Sequence, residues 1–315
     1  MPSPLAPKSL LSPASNRPAS LDRRYVGSFV EHLFGASLHK KRLDLLANSV
    51  VGVLHAAMLA IHAIGAAYAA VAQKHAKHGI TQVDRWLSNP AFDVARLWSS
   101  WVEFVVGVRE EIVIALDWTD FERDDHTTLC AYLVTRHGRA TPLMWRTVPK
   151  STLEGKRTGY EHELIETLHG ILRPEKEAWC LATSLAERKA QEEVKLYGKR
   201  FTIEETFRDE KDIHFGLGLS ATHIKSCERR DRLLLLVALA HALLTLLGAA
   251  SEETGLDRTL KANTSKKRSL SLFRQGLYWY HAIPAMRDDW LEKLMVAFNR
   301  IVEDHRAFRE VFAVI

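Results

Sequence analysis

The chain has 315 residues, room for one large domain or two to three small ones, and its 47% hydrophobic and 26% charged content is that of an ordinary globular protein. A net charge of +5 leans towards a polyanionic partner. Three widely spaced cysteines, Cys130, Cys180 and Cys227, form no CxxC pair, which argues against a zinc site or disulfide framework and for a reducing compartment.

Residues 1–21 contain Pro2, Pro4, Pro7, Pro13 and Pro18 and no acid before Asp22, and read as a disordered basic tail rather than a targeting signal. From 22 to 108 the pattern is helical. Asp22 and Ser37 are candidate N-caps, and Lys40, Lys41 and Arg42 form a basic run at a helix start. A long apolar helix through Val50–Ala72 ends near Lys77-His78-Gly79. Thr81 then caps a short helix that stops at Asn89-Pro90. A helix, a glycine-containing turn and a short helix bearing Arg85 and Trp86 suggest a helix-turn-helix DNA contact, with a plain helical hairpin as the alternative.

The period changes near Glu110. EEIVIALDWTDF reads as a buried strand ending at Asp117, and TLCAYLVTRHG with RATPLMWRTV reads as a hairpin turning at His137-Gly138. An amphipathic helix from about Thr158 to Leu172 follows, then the strand EAWCLATSL, then another helix. Beyond Asp231 the chain is helical again, with a basic loop at Lys266, Lys267 and Arg268 and an aromatic cluster at Tyr278, Trp279 and Tyr280, read mainly as core packing. Leu233–Ala250 reaches the length of a membrane span. Its Ala and Leu content, and the lack of flanking aromatic belts, favour a buried helix, so no membrane association is expected. The fifteen histidines show no HExxH or paired-ligand spacing; His162 and His169 are expected to be solvated.

Two places carry chemistry. Asp117 at a strand end is costly to bury unless it is paired or binds a metal, and Mg²⁺ favours such carboxylates; Asp120 is the competing choice. In YGKRFTIEETFRDEK, the residues Tyr197, Arg200, Glu204 and Lys211 stand at offsets 0, 3, 7 and 14. At about 100° per residue this puts them within an arc of about 60° on one helix face. A carboxylate, two cations and a phenol then form one stripe. Leu196, Ile203 and Phe207 form the adjoining apolar face. The stripe reads as a surface for a metal and a phosphate backbone, with Phe201 and Phe207 packing beside it.

With Asp117, this stripe resembles the bacterial insertion-sequence DDE transposases whose hallmark is a Tyr-Arg-Glu-Lys signature with two, three and six intervening residues. The flanking EAWCLATSL and FRDEKDIHFGLGL are similar to that family too, and the resemblance covers the chain from about Leu21 onward. It implies a mostly helical α+β protein in which an RNase H-like core (109–230) lies between N-terminal (22–108) and C-terminal (231–315) helical regions. It implies cleavage of double-stranded DNA at transposon ends and strand transfer to a target, with Mg²⁺ or Mn²⁺ held by an Asp-Asp-Glu triad. Asp117 matches the first acid and Glu204 the last; Tyr197, Arg200 and Lys211 match the phosphate-gripping positions. A homodimer and a cytoplasmic, nucleoid-associated location go with that reading.

The second acid of the family has no match, because no aspartate lies between Asp125 and Asp209. Glu175 and Glu177 are the nearest carboxylates, in no matching context. The strand that should carry the acid, central in the sheet, is absent around 173–176, and the strand at Ala178–Leu185 is the candidate to close the gap beside Glu111–Leu116. The expectation is an internally deleted transposase with impaired cleavage; the alternative is a non-catalytic, DNA-binding or dimerising remnant.

Overall fold

The computed structural model describes residues 20–107, 112–135, 137–172, 201–212 and 216–303. The tail at 1–19 and the expected strand at 177–185 lie outside them.

A short acidic side chain ahead of a helical run can satisfy its first amides. Asp22 does so for α1 (Arg23–Phe34), accepting from the backbone N–H of Arg24 at 2.8 Å and Tyr25 at 3.0 Å. Helix α2 (Lys40–Ala56) is capped by His39 instead of Ser37, the imidazole Nδ1 accepting from the Lys41 amide.

The expected long apolar helix is broken. α2 ends where Ala57 turns left-handed (φ 48°), and α3 (Ile61–Val71) leaves at 100° to it. Helix α4 (Ala76–Leu87) then packs back on α3. Gly79 and Thr81 lie inside α4, so neither the glycine turn nor the Thr81 cap exists. The reason is contact between helices. A Cβ on Gly79 would stand 2.2 Å from the Gly65 carbonyl oxygen, so the two backbones touch through glycines and the alanine-rich faces fold onto each other. Local propensity favours one helix here; burial favours folding it back.

Helix α5 (Trp98–Val106) follows, and its Trp101 indole N–H donates to the Pro142 carbonyl at 2.9 Å. Three antiparallel strands come next, β1 (Ile114–Phe121), β2 (His126–Leu133) and β3 (Thr141–Pro149), paired in the order β1-β2-β3. The β2–β3 hairpin is as the sequence predicts. β1 is longer than expected at its end: Asp117 sits opposite Cys130 in mid-strand, and the turn comes only at Glu122–Asp125. Two further alternating positions, Thr119 and Phe121, are buried on the inner face, which extends the pairing past the aspartate. The N-terminal part of β1 is half-buried rather than fully buried.

Helix α6 (Arg157–Leu172) lies on the outer face of the sheet, where Trp118 donates its indole N–H to Glu161 at 2.7 Å and Arg146 stacks on Tyr160. Helix α7 (Phe201–Lys211) and the long α8 (Cys227–Glu253) cover the inner face. α9 (Leu272–Ala282) and α10 (Asp288–Glu303) then pack on α8. The protein is thus α+β and mostly helical, with ten α-helices and one three-stranded antiparallel sheet among the described residues.

Helix α8 is long and apolar enough to cross a membrane by composition, yet 89% of its apolar window is buried inside the fold, as expected of a core helix. Its charged first turns tie the parts together. Arg229 pairs with Asp84 of α4 at 2.5 Å, and Arg232 donates to the carbonyls of Leu87 and Phe92, both at 2.8 Å. Arg230, wholly buried, binds Asp124 in the β1–β2 turn and donates from Nε to His126 Nδ1 at 3.0 Å.

Candidate functional site

The stripe helix α7 is amphipathic as its spacing predicts. Ile203 is buried and Phe207 packs edge-on against Tyr132 at 5.4 Å, while Glu204 is exposed. Phe201 does not pack: it is 64% exposed. Tyr197 and Arg200 lie outside the described residues. Thr206 joins α7 to the Ala140 backbone, accepting from its amide at 2.7 Å, and the half-buried Arg139 pairs with buried Asp209 at 2.6 Å.

Lys211 closes the far end of the helix. Its ammonium donates to the Thr119 hydroxyl, lies 3.5 Å from the Asp120 carbonyl oxygen, and sits between the rings of Phe121 (4.8 Å) and Phe207 (5.0 Å). Arg230 stacks on the same Phe121 ring at 3.8 Å. Burial lowers the Lys211 pKa, although Glu210, Asp120 and Asp117 oppose that shift. This contact brings the helix of Glu204 against the strand of Asp117, since Thr119 is two residues from Asp117 on the same face. The Asp120 carboxylate turns instead to Lys150 at 3.0 Å.

Beside Lys211 lies a group that sequence reasoning missed. Glu210 is buried, and burial pushes its carboxyl up to about 8. On the sheet side it faces Cys130 and Tyr132, whose own acidities burial also suppresses. The signal was present: an acid in the run RDEK, off the stripe and on the packing side of the same helix.

Among the described residues the donor set falls short of what a pair of metal ions needs. Asp117 and Glu204 supply two carboxylates, and among the described residues no group of three His, Cys, Asp or Glu side chains is arranged to hold a metal. Glu175 and Glu177 lie outside the described residues.

The other predicted contacts resolve residue by residue. In α4, Arg85 is exposed, but Trp86 is buried against Phe92 at 5.0 Å and serves the core, leaving Arg85 alone as a surface contact of that pair. Lys266 and Lys267 are exposed, whereas Arg268 is held by Glu252 at 2.5 Å. Trp279 and Tyr280 are core residues; Tyr278 is exposed. His162 and His169 are solvated. A second, open cleft of about 630 Å³ lies at the start of α8, between Asp124, His126, Arg146, Lys225 and Asp231. It mixes both charges and includes no residue of the stripe. In comparison with known proteins, no family model, no curated protein and no solved structure matches this chain.

Proposed function

We propose that the chain is a DNA transposase of the DDE type that binds double-stranded transposon ends, with strand cleavage and transfer impaired by loss of the second aspartate. One contact carries the reading: Lys211 on Thr119, which sets the helix of Glu204 beside the strand of Asp117. The antiparallel order β1-β2-β3 followed by α6 supports an RNase H-like core. In this reading Tyr197 and Arg200 meet phosphate oxygens and Asp117 and Glu204 face the scissile bond, while Lys211, which the resemblance also assigns to phosphate, fastens the helix to β1 through Thr119. Mg²⁺ or Mn²⁺ is the ion the family resemblance implies; the two carboxylates alone do not make its site.

A second reading, a non-catalytic DNA-binding or dimerising remnant, is favoured by the engagement of Lys211 within the fold and by the two-carboxylate donor set. One experiment tests both. The protein is mixed with end DNA taken from the inverted repeats at its own locus, and binding and nicking are followed with Mg²⁺ and with Mn²⁺. Salt-sensitive binding without nicking is the expected result. Robust nicking that disappears in Asp117→Asn would overturn the impairment, and failure to bind ends better than random duplex would overturn the first reading and the DNA-binding form of the second.

A further inference from the structure

A cavity of about 20 Å³ lies between the inner face of the sheet and helices α7 and α8. Thr119 and Thr128 supply hydroxyls to its wall, Cys130 and Tyr132 a thiol and a phenol, and Glu210 and Lys211 the two charged groups. The volume exceeds the ~10–15 Å³ that one water needs, and a buried water is held by about two to four polar partners. Glu210 is only 3% exposed, and no hydrogen bond joins its carboxyl to another described residue. A buried carboxyl without a partner is costly, and the opposite charge that acts on it, the Lys211 ammonium, belongs to a residue lining the same cavity. A polar pair that does not touch across a space of this size is the geometry of a water bridge.

We propose that one water molecule is bound in this cavity and bridges the Glu210 carboxyl to the Lys211 ammonium and the Thr119 and Thr128 hydroxyls. Glu210 is then a positioning residue: through the water it holds Lys211 in place between Phe121 and Phe207, against β1. Thr128 can serve as a wall of the site because its hydroxyl already shares a proton with Thr147 at 2.8 Å and keeps a lone pair for the water. The assignment concerns the fold of α7 on the sheet and does not rest on the DNA reading.

Two measurements on the full chain test it. A high-resolution crystal structure is expected to show one ordered water within hydrogen-bond distance of Glu210 and of at least one threonine hydroxyl. No water there, or a carboxyl rotated into direct contact with Lys211, overturns the proposal. Second, the acylation rate of Lys211 by an amine-reactive reagent is read by mass spectrometry. Glu210→Gln retains the bridge and should leave Lys211 as protected as in the wild type. Glu210→Leu should raise its labelling about fivefold, the effect of losing one net hydrogen bond. Equal rates in the two variants overturn the positioning role. If the leucine variant does not fold, the crystal structure and the glutamine variant decide: a labelling rate in Glu210→Gln well above wild type also overturns it.

Discussion

The Lys211 ammonium donates to the Thr119 hydroxyl and is flanked by the Phe121 and Phe207 rings, so the last residue of the stripe is part of the packing between α7 and β1. A lysine held this way is desolvated and directional, unlike one waiting on a solvated helix face. Replacing it with methionine keeps the apolar stem and removes the charge. Lys211→Met should destabilise the fold by about 1–2 kcal/mol, the hydrogen bond and two cation–π contacts less the desolvation cost of the buried ammonium, read from urea unfolding midpoints. A loss near zero would contradict a net stabilising role for this contact.

Arg230 offers a sharper case. Its guanidinium is fully buried and holds Asp124, which is nearly buried itself, together with His126 and the Phe121 ring. Removing one partner of a buried pair leaves an uncompensated charge, at a cost of about 3–5 kcal/mol. Arg230→Met should therefore lower stability far more than Arg85→Ala, whose side chain is exposed. Thermal denaturation of the two variants side by side gives the comparison; equal shifts would contradict the buried network.

Stability should fall in acid through two buried histidines. His137 and His241 are brought down to about 3 by burial, with His241, Arg268 and Arg139 adding to it at His137 and Arg139 at His241. Their folded pKa values lie below the unfolded value of about 6.5, so the fold keeps them neutral while the unfolded chain takes up protons. The stability they allow is complete above about pH 6.5 and is lost as pH falls from there towards 3, by about 2 kcal/mol per histidine at pH 5. His241 stacks flat on Phe273 at 4.9 Å, so His241→Phe should keep the packing and flatten this acid limb. Urea midpoints at a series of pH values would reveal an unchanged limb if the idea is wrong.

Glu210 gives the opposite limb. Its folded value, about 8, lies above the unfolded value of about 4.3, so the folded protein retains a proton that the unfolded chain releases. Stability is then highest below the unfolded pKa and decreases as pH rises towards 8, by up to about 3 kcal/mol at pH 7. Glu210→Gln should match wild type near pH 4 and exceed it near pH 8. A difference that does not grow with pH would remove the buried carboxyl as its cause.

The crossing of α8 and α9 depends on two glycines. A Cβ on Gly276 would stand 1.8 Å from the Leu244 carbonyl oxygen, and one on Gly248 would stand 2.0 Å from that of Leu272. Both obstacles are backbone, which cannot swing aside. Gly276→Ala should cost about 1–3 kcal/mol or more despite alanine's better helix propensity. A neutral or raised melting temperature would show that the helices separate freely.

Much of this was legible beforehand, and the misses have physical causes. The Asp22 cap, the β2–β3 hairpin, α6 and the buried character of α8 follow from local chemistry and periodicity, which act over a few residues. The break at Ala57 is not marked by a proline or glycine at the bend; the gain comes from close backbone contacts between helices, α2 on α3 at Gly52 and Ile64 and α3 on α4 at Gly65 and Gly79, which residue-by-residue helix propensity does not register. The expectation of Asp117 at a strand end fails because the strand runs four residues further, to Phe121, where Thr119 and Phe121 find partners in Lys211 of α7 and Arg230 of α8.

By itself the sequence determined the helix–strand alternation, the common face of Glu204 and Lys211, and the absence of any aspartate between Asp125 and Asp209, because covalent order and helical pitch are local. Only the tertiary structure decided that Lys211 packs into β1, that Glu210 is buried beside it, and that Arg230 joins the core helix to the β1–β2 turn. Those outcomes depend on desolvation and on pairing between residues about 90–110 positions apart, as the Lys211–Thr119 and Arg230–Asp124 contacts show. No spacing rule along one chain encodes them.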